Sequence, residues 1–118
     1  MIKIYHNPKC GTSRKTVEFL TEHHFEFETV FYLETPASKV DLKRMLKGMK
    51  MGVCDLLRQK GTPYDELDLS HEHWSEEQLL DFMVEHPILM SRPIVVSNKG
   101  TRLCRPMETI LEIVDLSA

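Results

Sequence analysis

The first 31 residues switch hydrophobic period twice, and that alternation restricts the available folds more than any other feature. Ile2 and Ile4 alternate with polar residues up to Tyr5, the period of a short strand, and Asn7-Pro8 breaks it. From Thr12 the spacing turns helical, with Val17 and Leu20 on one face and Phe19 beside them, ending near His23 and His24. Phe25, Phe27, Thr29 and Phe31 then alternate with Glu26, Glu28 and Val30, which predicts a second strand with one buried face. A right-handed crossover through the helix makes the two strands parallel.

The middle of the chain reads as helical. "TPASKVDLKRMLKGM" places Ser38 and Asp41 at capping-box spacing and sets Leu42, Met45, Leu46 and Met49 on one face. A short helix is expected from Val53 to Gln59. In "SEEQLLDFMVEH", Ser75 and Gln78 cap another, with Leu79, Phe82, Met83 and His86 sharing a face. Methionines at this spacing are core. Beyond Pro87, the apolar run Ile94 to Val96, an Asn98-Lys99-Gly100 turn and a second run from Thr101 to Cys104 predict a β-hairpin. Pro106 then opens a last helix with Met107, Ile110, Leu111 and Val114 on one face.

The element order is therefore βαβ, helices, then ββα. It predicts an α/β, thioredoxin-like fold with a mixed sheet and a helical insertion between its halves. With 118 residues the chain fits one domain, 1–118, the insertion covering about 36–90.

Fifteen basic against eighteen acidic side chains leave a net charge of -3, the wrong sign for a nucleic-acid coat. No nucleic acid is expected as a partner. No apolar leader precedes the first cysteine and no run of about 18 apolar residues occurs, so no membrane association is expected and the location is expected to be cytoplasmic. Three irregularly spaced cysteines argue against a disulfide framework and for reduced thiols.

One of those thiols stands in "HNPKCGTSR", residues 6–14. Cys10 falls at or just before a helix N-terminus, where unpaired N–H groups and about half a positive charge favour thiolate. His6, Lys9, Arg14 and Lys15 lie close in sequence and can add positive potential, while the amides of Gly11 and Thr12 can cradle an oxyanion. Such a loop is a poor place to bury an inert thiol. Ser13 stands where a CxxC pair would carry its second sulfur, so an adduct on Cys10 must be released by an external thiol. The Ser13 hydroxyl is suited to cap the helix or to bond the thiolate or an anion, and equally to be an ordinary first-turn residue.

Other anion chemistries fail on spacing. A phosphatase-type loop needs its arginine two residues later than Arg14, and no GxxxxGK[ST] occurs. His71-x-His73 lies far in sequence from any cysteine, and no bound metal or cofactor is implied.

Together with "LLR" at 56–58, "EHPILMSRPIVV" and "GTRLCRP", the loop closely resembles the glutaredoxin-coupled arsenate reductase family, over nearly the whole chain. The resemblance implies that Cys10 is the nucleophile, that Arg58, Arg92 and Arg105 hold the oxyanion, and that His6 supports the thiolate. It also implies a cis-proline at Pro93 facing the cysteine. Guanidinium forks bind tetrahedral oxyanions bidentately, which suits arginine better than lysine. Family members often carry a further polar tail beyond the position of Ala118; it lies outside these motifs and bears on stability or partner contacts.

The expected reaction is reduction of arsenate to arsenite, with glutathione as co-substrate and glutaredoxin as partner. Cys54 and Cys104 are expected to be core or half-buried thiols, Cys104 keeping a possible redox part beside Arg105. Two alternatives share the fold. A monothiol glutaredoxin also uses CGxS but has no use for the arginines or the insertion. An Spx-type regulator, which binds RNA polymerase, typically carries CxxC.

Overall fold

The computed structural model describes residues 2–70 and 73–115. The chain forms two compact units, one built from Met1–Thr35 and Arg92–Ala118, the other from Pro36–Ser91.

In the first unit, strand β1 (Ile2–His6), helix α1 (Gly11–Glu22) and strand β2 (Phe27–Phe31) form the opening motif. Strands β3 (Ile94–Ser97) and β4 (Gly100–Leu103) form the hairpin. The sheet order is β2-β1-β3-β4. β1 runs parallel to β2, with His6 level with Phe31, and antiparallel to β3, with Ile4 level with Val95. This is the thioredoxin-like arrangement that the element order predicts, with the insertion between its halves. Ser97 pairs with Gly100 across the Asn98-Lys99 turn. Gly100 has φ 148, where a side chain would be strained and would press on Arg102.

Ile4, Leu20, Val95, Cys104, Ile110 and Ile113 form the buried core of this unit, with Val17, Phe25, Phe27 and Met107 packed against it. Each such side chain contributes roughly 1.5 to 3 kcal/mol by leaving water.

Two elements differ from expectation. β2 has no cleanly buried face: Phe31 is 44% exposed, because β2 is the sheet edge, hydrogen-bonded to β1 alone. The Phe31 ring instead meets His6 edge-on, centroids 5.7 Å apart. The last helix is a 3₁₀ helix, Met107–Glu112, preceded by Pro106. Its period of three aligns Met107, Ile110 and Ile113 toward the core and leaves Leu111 49% exposed, where an α-helical period predicts it buried.

The second unit holds α2 (Lys39–Met49), α3 (Val53–Leu56), α4 (Glu76–Glu85) and a 3₁₀ turn at Pro87–Leu89. Leu42, Met45, Leu46 and Met49 are buried, as the methionine spacing predicts. At α2 the predicted box is half formed. Ser38 Oγ accepts from the Asp41 N–H at 3.1 Å, but the shorter Asp41 carboxylate pairs with Arg44 rather than reaching back. At α4 both halves form between Ser75 and Gln78.

The buried residues of α4 are Leu79, Leu80 and Met83. Phe82 is only partly buried, its ring meeting Trp74 edge-on at 4.8 Å, and His86 lies past the helix end. α3 stops short of Gln59 because the next residues are drawn into extended pairing. Leu57 bridges Met90, the Arg58 N–H donates to Leu89 O at 2.7 Å, and the Ser91 N–H donates to Leu56 O at 2.8 Å. Lys39 and Lys43 both pair with Glu77, linking α2 to α4. No helix among the described residues is long and apolar enough to cross a membrane.

Candidate active site around Cys10

Cys10 is the N-cap residue of α1, extended at φ -95 and ψ 124, with no side-chain cap of its own. Its N–H donates to Asn7 O at 3.0 Å and its carbonyl accepts from the Arg14 N–H at 3.0 Å. The next three amides, of Gly11, Thr12 and Ser13, open the helix and have no carbonyl of the preceding turn to bond. Of these, the Ser13 N–H bonds the sulfur.

The thiol is only 6% exposed, contrary to the expectation that this loop leaves it open. Burial alone raises a thiol's pKa. Here that push is overcome by the Ser13 backbone N–H, by the hydrogen bond and charge of Arg92, and by Arg105, so the Cys10 pKa falls below its ordinary value. Arg105 Nη1 donates to Cys10 Sγ at 3.5 Å and to the Arg92 carbonyl at 3.2 Å. Arg92 is 8% exposed, and its buried Nε has no hydrogen-bond partner. A buried guanidinium with an unused donor beside a thiol of lowered pKa is equipped to take an anion's oxygen. The Arg92-Pro93 bond is cis, as the resemblance implies, and so is Arg105-Pro106.

Ser13 differs from both functional expectations for its side chain. It is fully buried, and its hydroxyl accepts from the Asn7 N–H at 3.0 Å and pairs with His6 Nδ1 at 2.6 Å. It therefore neither caps the helix nor bonds the thiol; its contribution to Cys10 comes from its backbone N–H. His6 does not supply positive potential. Burial first, and then the charge of Arg14, lower its pKa, which keeps it neutral at pH 7. With its N–H on Nε2, a neutral His6 leaves Nδ1 free to accept the Ser13 proton, which satisfies both groups. The Asn7 carboxamide closes the loop from the other side, its Oδ1 accepting from the Lys9 N–H at 2.9 Å. Arg14 bonds Pro8 O at 2.9 Å.

Of the three expected oxyanion arginines, Arg92 and Arg105 meet at Cys10. Arg58 belongs to the second unit, where its carbonyl accepts from the Thr62 hydroxyl at 2.7 Å. Beside Arg105 opens a groove of about 330 Å3 lined by Thr12, Lys15, Arg105, Met107 and Glu108.

The other cysteines separate clearly. Cys104 is fully buried; burial, and then the Glu112 charge, push its pKa up to about 12, so it stays a thiol. Cys54 is exposed, not core, because α3 is a single turn that buries only Val53 and Leu56. His71 lies outside the described residues, and His73 packs on Trp74 at 4.3 Å. Among the described residues no cluster of three His, Cys, Asp or Glu could hold a metal ion.

The family described as the ArsC family matches residues 5–113. The arsenate reductase of Escherichia coli K12 is 48% identical over 113 residues, covering 96% of this chain and 80% of that protein. A second Escherichia coli K12 protein, named only as the uncharacterized YfgD, is 49% identical over 114 residues, with 96% of each chain covered. The solved arsenate reductase of Vibrio cholerae superposes with a TM-score of 0.91 at 40% identity, covering 96% of this chain and 97% of that one.

Proposed function

The chain belongs to the ArsC family, and on that premise we propose that it is an arsenate reductase, an oxidoreductase that converts arsenate to arsenite through Cys10. The observation that carries the reading is the pairing of a lowered-pKa thiol with two guanidiniums, one holding an unsatisfied buried donor.

In this reading arsenate enters beside Cys10 with its oxygens toward Arg92, Arg105 and the amides of Gly11 and Thr12. The thiolate attacks arsenic(V), and one arsenate oxygen leaves as water after protonation, giving a Cys10 sulfur–arsenic bond. The cations offset charge on the oxygens as that bond forms. Glutathione, coming from the side of the Thr12–Lys15–Arg105 groove, then attacks the Cys10 sulfur. The sulfur–arsenic electron pair stays on arsenic, which departs as arsenite, and Cys10 is left in a mixed disulfide. Two electrons have passed, one from each sulfur. Glutaredoxin removes the glutathione and returns Cys10 to thiolate. His6 and Ser13 act as positioning residues that fix the loop.

The test is arsenate-dependent NADPH consumption with glutathione reductase, glutathione and glutaredoxin, alongside mass spectrometry of Cys10 with glutaredoxin withheld. Turnover and a glutathione adduct on Cys10 are expected. Equal turnover on thioredoxin alone, with a Cys10 to Cys104 disulfide, would overturn the glutathione half of the cycle.

A further inference from the structure

Two buried side-chain polar atoms among the described residues lack a hydrogen-bond partner, Tyr32 Oη and Arg92 Nε. They do not lie in unrelated corners of the fold. β1 and β2 run in parallel register with His6 level with Phe31, so the next step along the ladder sets Tyr32 beside Asn7. The Asn7 carbonyl holds the Cys10 N–H at 3.0 Å. Tyr32 is 1% exposed, and its phenol senses the charges of both Arg92 and Cys10. The Asn7 carboxamide approaches the phenol oxygen as a hydrogen-bond donor but not within good bonding geometry, and in either case the phenol's own proton has no acceptor.

A buried hydroxyl left without a partner works against the fold, and so does a buried guanidinium N–H. Both unused groups here can donate: Arg92 Nε carries a hydrogen, and burial pushes the Tyr32 pKa up so that the phenol keeps its proton. Two unfilled donors flanking one thiol call for a guest rich in acceptor oxygens. The geometry points to Tyr32 as a substrate-binding residue whose hydroxyl donates, alongside Arg92 Nε, to an oxygen of the tetrahedral oxyanion held against Cys10.

This rests on the oxyanion reading of the site and adds to it a neutral donor. Because the phenol is a weak acid, it bonds an oxygen that stays on the oxyanion rather than protonating the one that leaves.

The experiment compares the parent protein with Tyr32→Phe, which keeps the ring and removes only the hydroxyl. Thermal melting is followed without anion and with arsenate or phosphate, and arsenate kinetics are measured in parallel. Tyr32→Phe should melt at the parent temperature or slightly above it without anion. It should lose most of the anion-dependent shift and raise the arsenate KM about tenfold, with a smaller change in kcat. A Tyr32→Phe protein that melts lower without anion, yet keeps the parent's anion shift and KM, would overturn the proposal by making the hydroxyl a structural partner of Asn7. An absence of anion shift in the parent together with an unchanged KM would also overturn it. A parent that reduces no arsenate but shows a Tyr32-dependent anion shift would sink the reductase reading alone.

Discussion

Arg105 Nη1 donates at once to Cys10 Sγ, at 3.5 Å, and to the Arg92 carbonyl, at 3.2 Å. One exposed side chain thus ties the thiol to the backbone that carries the second cation. Arg105→Ala should raise the apparent pKa of Cys10, read from the pH dependence of iodoacetamide alkylation. It should lower kcat/KM for arsenate by about two orders of magnitude. Lysine should restore the alkylation profile more fully than the turnover, because a point charge stabilises thiolate but cannot bind an oxyanion as a fork.

The three thiols should fall into two classes of native reactivity. Cys54, exposed, and Cys10, with its lowered pKa, should react with a thiol reagent at pH 7 in the native protein, and Cys104 only after unfolding. Cys10→Ser should abolish turnover, while Cys54→Ser keeps most of it. A rapid native reaction at Cys104 would show the core to be more open than the structure has it.

Stability should fall at alkaline pH with a share that belongs to Cys104. Above its ordinary value of 9.0 the unfolded chain releases this proton, while the folded chain keeps it up to about 12. The unfolded state then binds fewer protons, so this group lowers stability by about 1.4 kcal/mol per pH unit across that window. Cys10 has the opposite sign: its lowered pKa adds stability that is complete above the unfolded value and is lost as pH falls through the folded one. Denaturant melts between pH 8 and 11 should show a shallower alkaline loss in Cys104→Ala, whatever that variant's absolute stability.

Ser13→Ala should destabilise the fold by about 1 to 3 kcal/mol, since it strands the buried Asn7 N–H and His6 Nδ1 together. A urea midpoint unchanged from the parent would show that water replaces the hydroxyl.

At the last helix, Ile113→Ala, just past its end, should cost about 2 to 5 kcal/mol, and Leu111→Ser within it should stay within about 0.5 kcal/mol of the parent. Thermal melts of the two variants distinguish the 3₁₀ register from an α-helical one, which reverses the order.

That register marks a limit of reading hydrophobic spacing. Period two and period 3.6 were far enough apart in β1, α1, α2 and the hairpin to be told from sequence, and Cys10 declared itself through the helix start behind it. Period three and period 3.6 diverge by only one position over a helix as short as Met107–Glu112, so Leu111 looked buried. Phe31 looked buried because alternation records which residues could share a face, not whether the strand lies at a sheet edge. The roles of His6 and Ser13 depend on two ring and hydroxyl orientations seven residues apart, which no spacing specifies. Tyr32 is not legible as a site residue in the sequence, because an aromatic at the end of a strand reads as packing. The signal available was its place one residue past β2, level with the cysteine loop once the parallel register is known.

The unit that holds Cys10 is made from two segments far apart in sequence, and the thiol and its Arg105 partner are separated by 95 positions. Closing so long a loop is entropically costly, and contacts of this span form late in folding. On the ribosome, the cysteine emerges long before either cation that activates it. A nascent chain therefore carries its nucleophile unarmed, as an ordinary thiol, and reactivity is conferred only once the segment bearing Arg92 and Arg105 has been made and has closed onto the cysteine loop.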